Sequence, residues 1–201
     1  MVQSEERKPF VLGVTGNIAC GKSTIMQMLS DLGAETIDAD KVYHRLIEPD
    51  RPLWQSLIDH FGADILMPDG EIDRRKLGGV VFRDAAALQE LERITHPAIR
   101  RAVLERIAES TASVVAIDAI KLIEGGFDQF CDQVWLVTCL PDAQRNRLMR
   151  RNGLSEVEAD QRIAAQPPLE PKIARADLII DNSGSLESTT CQVHRAWDHL
   201  P

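Results

Sequence analysis

Gly16-Asn17-Ile18-Ala19-Cys20-Gly21-Lys22-Ser23 follows the pattern G-x-x-x-x-G-K-[ST], in which each residue type has a task if a polyphosphate is to be held. Glycines let backbone N–H groups approach the anion, the lysine neutralises charge on the β and γ groups, and the hydroxyl suits a Mg²⁺ ion. Gly16, Asn17, Ile18, Ala19, Cys20, Gly21, Lys22, Ser23 and Thr24 therefore form a candidate cradle for ATP or GTP. A glycine-rich turn that meets the pattern by chance is the competing reading, and its flanks argue against it. The apolar run "PFVLGVT" before the loop predicts a strand covered on both faces. Residues 22–32 after it predict a helix, with Ile25, Met26, Met28 and Leu29 on the apolar side and Gly33 as its stop.

Transfer of phosphate to a hydroxyl needs a carboxylate to orient the acceptor and take its proton. Asp38 and Asp40 close the strand-like "AETIDAD", and in an extended chain they point to opposite faces, so one of the two is placed for that work. Either residue suits the cap of a following helix equally well. Asp118, at the end of "SVVAID", has the type and place of a strand-terminal acid that holds Mg²⁺ through water, or again of a cap. Arg145, Arg147, Arg150 and Arg151 crowd one helical stretch. Arg147 and Arg151 share a face, either as a clamp for phosphate oxygens or as part of a solvated basic surface. His96-Pro97 reads as a helix start with Pro97 in the first turn.

The elements that must position these residues alternate in type. "AETIDAD", "SVVAID", "QVWLVT" and "ADLIID" join the first strand to predict a five-stranded parallel sheet with crossover helices, an α/β fold. The long stretch between the second and third strands has only helical signals, among them "PLWQSLIDHFG", "RRKLGGVVF" and "PAIRRAVLERIAES", and predicts a helical insertion. Residues 141–165 read as two helices joined near Gly153, the second opened by a capping box of Ser155 and Glu158.

Composition narrows the class. Lys and Arg number 23 against 31 Asp and Glu, and a formal charge of −8 disfavours broad capture of nucleic acid or an anionic membrane. Cys20, Cys131, Cys139 and Cys191 lack zinc-site spacing and disulfide density, which predicts reduced thiols and a cytoplasmic protein; Cys20 itself reads as a small buried filler. No apolar stretch reaches membrane-spanning length.

Seven segments, in order, carry a family likeness: "GVTGNIACGKST", "LGAETIDAD", "DGEIDRRKLGGVVF", "LERITHPAIR", "VVAIDAIKLIE", "AQRNRLMRRNGLSEVEADQRIAAQ" and "ARADLIIDNSGSLE". Together they resemble the dephospho-CoA kinases over nearly the whole length. The resemblance implies a P-loop kinase core at residues 9–48 and 113–201, a helical acceptor-binding insertion at 49–112 and a helical lid at 141–166. It implies ATP and Mg²⁺ as cofactors and dephospho-CoA as the acceptor; charge and hydropathy predict no nucleic-acid or membrane partner, and a monomer or weak homo-oligomer is expected. Asp40 matches the family's proposed base, with Lys22 and Arg147 as the other catalytic groups. Arg147, Arg151 and Asn182 join the nucleotide-binding set, Asn182 either in the adenine loop or as a left-handed turn former. Asp38, His96, Lys121 and Glu124 fall on the acceptor side, and Ser23 and Asp118 at the metal.

The family usually writes Gly-Gly-Ile-Gly-Ser-Gly-Lys-Ser, so Asn17, Ala19 and Cys20 depart from it; asparagine tolerates a left-handed backbone, whereas Ala19 is expected to keep φ negative. In "DAIKLIE", Ile120 stands for a proline and Lys121 adds a charge, which either meets a phosphate or Glu124 or snorkels to solvent. Another small-molecule P-loop kinase, or a nucleotide-dependent switch, is the alternative; no Asn-Lys-x-Asp guanine signature supports the switch.

Overall fold

The computed structural model of the chain describes residues 8–201. They form two compact units, one comprising the described residues up to Ile37 with Ser110–Pro201, the other Asp38–Glu109.

The first unit is built on five strands, β1 (Phe10–Thr15), β2 (Glu35–Asp38), β3 (Val114–Asp118), β4 (Gln133–Thr138) and β5 (Leu178–Asp181), in the order β2-β3-β1-β4-β5. Pairing of β1 with β3 and β4, and of β4 with β5, is parallel. Consecutive strands lie on either side of β1, so the strand order reverses there, and in open α/β sheets that reversal opens a crevice at the carboxyl ends. The loop after β1 emerges at that place.

Strand alternation decides which residues make the core. Leu12 and Val14 of β1, Val114 and Ala116 of β3, Trp135 and Val137 of β4 and Ile180 of β5 share one buried cluster with Ile25, Met26 and Leu29 of α1 (Lys22–Asp31) and Val193 of α9 (Leu186–Trp197). Each fully buried Leu, Ile or Val contributes about 1.5–3 kcal/mol over leaving it exposed. The complementary residues Val115, Ile117, Val134 and Leu136 are buried as well. A sheet covered on both faces explains why its strands read as unbroken apolar runs. The unit also contains α6 (Pro141–Asn152), α7 (Glu156–Ala164) and α8 (Glu170–Arg175). Gly153, left-handed at φ 64, ends α6, and Ser155 and Glu158 cap α7 reciprocally.

The second unit is helical: α2 (Ala39–Leu46), α3 (Pro52–Phe61), α4 (Arg74–Val81) and α5 (Ala85–Glu109). Ile47, Leu53, Leu57, Ile65, Ile72, Leu77 and Val81 form its core, with Leu91, Ile94 and Ala98 of α5 packed against it. The helix expected to start at Pro97 does not start there. Pro97 lies inside α5, where its ring removes the N–H that would bond the carbonyl four residues earlier. Apolar packing on both sides of the proline, from Ile94 and Ala98 to buried Val103 and Ile107, carries the helix through.

The "AETIDAD" strand is also shorter than expected. It stops at Asp38, whose carboxylate accepts from Lys41 N at 2.9 Å and caps α2, so Asp40 is helical, in the first turn. The two aspartates are thus not an alternating pair on a strand, because the cap turns the chain before Asp40 is reached.

Candidate active site

The loop of residues 16–21 is shaped by close approaches. A Cβ on Gly16 would lie 2.3 Å from the carbonyl oxygen of Val137, and one on Gly21 would lie 2.1 Å from Nδ2 of Asn182, so neither position admits a side chain. Gly21 has φ 97 and opens α1 with no side-chain cap, leaving the positive end of that helix for an anion. Ala19 overturns the expectation for its backbone: its φ is +60, while Asn17 is absent from the positive-φ residues. Cys20 N donates to Asn17 O at 3.3 Å, which makes Ala19 the third residue of a closed turn, the position that type II geometry puts at positive φ. For alanine that conformation costs about 1–2 kcal/mol.

Several side chains fasten the loop from outside. Asn182, 6% exposed, donates from Nδ2 to the Cys20 carbonyl at 2.8 Å while its Oδ1 accepts from Thr189 Oγ1 at 2.9 Å. It does not adopt a left-handed conformation, so the turn-former reading fails and the residue is a buried brace. Arg147 donates to the Asn182 carbonyl at 2.8 Å and to the Cys20 carbonyl at 3.5 Å. Gln144 donates to Ile18 O at 2.8 Å, and Ile18 N donates to Gln166 Oε1 at 3.4 Å. Sequence reasoning missed both glutamines; the signal for Gln144 was its place one helical turn before Arg147 on the same face.

Lys22, Ser23 and Asp118 line a concavity of about 460 Å³ with Arg147, Arg150 and Arg151, beside Ala19 and Gly21. Lys22 Nζ donates to Gly16 O at 3.1 Å, which holds the ammonium against the loop. Four cations around one carboxylate suit a polyanion. Arg150 joins this set, whereas Arg145 is taken up by Asp160 at 2.6 Å and Glu156 at 3.2 Å and ties α6 to α7. Thr24 follows in the first turn of α1, half-buried. Ser23 and Asp118 offer oxygen ligands in one cavity, a fit to a hard cation that also takes phosphate oxygens. Among the described residues no group of three or more His, Cys, Asp or Glu is disposed to hold a metal by itself.

The acceptor-side candidates divide between the units. Asp38, exposed Asp40 and half-buried His96 belong to the helical unit. Lys121 and Glu124 belong to the sheet unit, in the turns after β3, and Lys121 is exposed. Those turns are held by Lys172, which the sequence reading overlooked: at 1% exposure it donates to the Ile120 carbonyl at 2.8 Å and faces Glu124 at 3.6 Å. Thr15 Oγ1 donates to the same carbonyl at 3.2 Å.

Cys20 is buried in the core beneath the loop, as a filler would be, but its Sγ also lies 3.3 Å from Sγ of Cys139. Donation from the Cys139 thiol, helped by Lys22 and Arg147, outweighs burial and lowers the Cys20 pKa to about 7. The Cys139 thiol is correspondingly pushed up by the same contact and by burial.

A family model described as dephospho-CoA kinase matches residues 10–188. A dephospho-CoA kinase of Symbiobacterium thermophilum is 44% identical over 190 residues, covering 93% of this chain and 80% of that protein. One from Geobacter sulfurreducens is 43% identical and covers 93% and 96%. Among solved structures, the dephospho-CoA kinase from Campylobacter jejuni superposes with a TM-score of 0.68 at 28% identity, covering 94% of this chain and 95% of its own. With the braced anion loop, the cationic concavity and the parallel sheet in agreement with these matches, the chain belongs to the dephospho-CoA kinase family.

Proposed function

We propose that the protein transfers the γ-phosphoryl group of ATP to the ribose 3'-hydroxyl of dephospho-CoA, giving coenzyme A and ADP in the cytoplasm. The observation that carries this reading is the single concavity shared by Lys22, Ser23, Asp118, Arg147, Arg150 and Arg151; family membership supplies the acceptor. Phosphoryl transfer asks little covalent work of a protein, so positioning and charge stabilisation are the tasks to be met.

Residues 16–24 hold the phosphates, and Lys22 neutralises the β and γ groups. Ser23 and Asp118 would hold Mg²⁺, which would supply charge neutralisation beside the phosphates. Arg147 has a double task, since it braces the Cys20 and Asn182 carbonyls while lining the concavity; Arg150 and Arg151 extend that cationic wall. Asn182 contributes to nucleotide binding through the loop it supports. Asp40 takes the proton of the acceptor hydroxyl, its helix start held by the Asp38 cap. His96, Lys121 and Glu124 serve the acceptor, with Lys172 fixing the turns that carry the last two. Residues 141–166 act as the lid, excluding the water that would compete as acceptor.

The test is ADP formation by purified protein with ATP, Mg²⁺ and dephospho-CoA. One ADP is expected per coenzyme A formed, with little ADP when the acceptor is omitted. Asp40→Asn is expected to keep ATP affinity and lower turnover by on the order of 100-fold. Equal turnover with nucleosides in place of dephospho-CoA refutes the acceptor, and near-normal turnover of the variant removes Asp40 as the base.

A further inference from the structure

Two thiols meet directly under the anion loop, at a place where kinase chemistry has no use for sulfur. Cys20 Sγ and Cys139 Sγ are 3.3 Å apart, and a disulfide needs about 2.05 Å, so closing the gap takes a movement of roughly 1 Å. Both sides are held by hydrogen bonds. Cys139 follows β4 on a segment pinned before and after it: the Thr138 carbonyl accepts from Asn182 N at 2.8 Å, and Leu140 N donates to Ser183 Oγ at 2.8 Å. Cys20 sits in the loop itself, one residue past the strained Ala19 and one before Gly21. The Cys20 carbonyl accepts from Asn182 Nδ2 at 2.8 Å and from Arg147 at 3.5 Å, so closing the gap works against the bonds that shape the loop.

We propose that Cys20 and Cys139 form a peroxide-sensitive modification site, whose intramolecular disulfide ties the phosphate-binding loop to the end of β4 and spoils its fit to the nucleotide. The inference rests on the nucleotide-binding reading of residues 16–24.

The chemistry balances with hydrogen peroxide as the oxidant. The Cys20 thiolate attacks one peroxide oxygen, the O–O bond breaks, and the Cys20 sulfenic acid and hydroxide form. Cys139 gives its proton to that hydroxide, making water, and its sulfur attacks the Cys20 sulfur. The S–O bond breaks, and the departing hydroxide takes up the proton that Cys20 released to the bulk on ionising, giving a second water. Overall two thiols and one peroxide give one disulfide and two waters; the sulfurs together lose two electrons and the peroxide gains them. Partial ionisation of Cys20 near neutral pH supports its role as the attacking thiol. The other cysteines differ: Cys131 is pushed up to about 12 by burial and by Asp128, Asp132 and Asp177, and Cys191 is exposed.

Displacing a positioning element by about 1 Å costs on the order of 100-fold in rate. The test uses the full chain carrying Cys191→Ser, treated with hydrogen peroxide and compared with untreated and dithiothreitol-restored protein. Its mass is expected to fall by two hydrogen atoms, peptide mapping without reductant to join Cys20 to Cys139, and turnover to fall on the order of 100-fold and return with dithiothreitol. Adding Cys139→Ser is expected to leave the untreated turnover unchanged and abolish the reversible loss. A mass that only gains oxygen, a disulfide mapped to Cys131, a Cys20–Cys139 disulfide with turnover and ATP affinity intact, or a reversible loss that survives Cys139→Ser overturns the proposal. Mass and mapping do not depend on kinase activity, and untreated turnover is measured first, so a failure of the functional reading is seen separately.

Discussion

Gly21→Ala tests whether the nucleotide loop is held from behind by Asn182. The new Cβ lies 2.1 Å from Asn182 Nδ2 and 3.3 Å from its Cγ, and the backbone keeps φ near 97, a region costly to alanine. Strain contributes about 1–2 kcal/mol. Asn182 must also swing away, breaking its buried bonds to Cys20 O and Thr189 Oγ1, each worth about 0.5–1.5 kcal/mol net. The sum is about 2–5 kcal/mol, or a melting temperature lowered by roughly 4–20 °C for a chain of this length. Part of this loss is shared with Asn182→Ala, which removes the same two bonds. In the double variant Asn182 is no longer there to be displaced, so the two costs fall short of additivity by about 1–3 kcal/mol. Urea denaturation of both singles and the double measures the shortfall, and ATP titration of each should show weakened binding in parallel. Costs that add within about 0.5 kcal/mol would refute the brace. Gly16→Ala supplies the contrast, because its Cβ meets the backbone carbonyl of Val137 at 2.3 Å and no side-chain substitution relieves that clash.

Two further outcomes follow from the same geometry. Ala19→Gly relieves about 1–2 kcal/mol of left-handed strain against about 0.4–1 kcal/mol of added unfolded-state entropy, for a net gain of up to about 1.6 kcal/mol; a lowered melting temperature in a thermal scan would contradict the backbone assigned to Ala19. Lys172→Met loses a charged hydrogen bond to Ile120 O but keeps the stem's packing and leaves Thr15 Oγ1 on that carbonyl, for an expected cost of about 1–2 kcal/mol in urea denaturation. Lys172→Ala should cost more, since it also leaves a cavity, and an unchanged midpoint for Met would show that the buried ammonium contributes nothing.

Much of the scaffold was legible because its signals are local. Apolar runs mark the strands of a sheet covered on both faces, the Gly-Lys-Ser sequence marks the turn into α1, and the Ser155–Glu158 cap marks the start of α7. The failures share a cause as well. Ala19 reads as negative in φ from its side chain alone, yet at the third position of the turn closed by Cys20 N and Asn17 O its φ is +60. Pro97 reads as a helix start, yet packing on both sides carries α5 past it. Asp38 and Asp40 read as strand neighbours, yet one bond from Lys41 N makes the first a cap and places the second in a helix.

By itself, then, the sequence determined the order and type of the elements and the chemical content of the anion loop, since hydrogen-bonding period and phosphate chemistry are written in adjacent residues. Only the tertiary structure decided what holds that loop in shape. Asn182 reaches Cys20 across 162 positions of sequence and Gln144 reaches Ile18 across 126, while the Cys139 sulfur meets that of Cys20 across 119. Contacts of that separation leave no periodic trace, because they exist only once the parallel sheet has brought the ends of β1, β4 and β5 side by side.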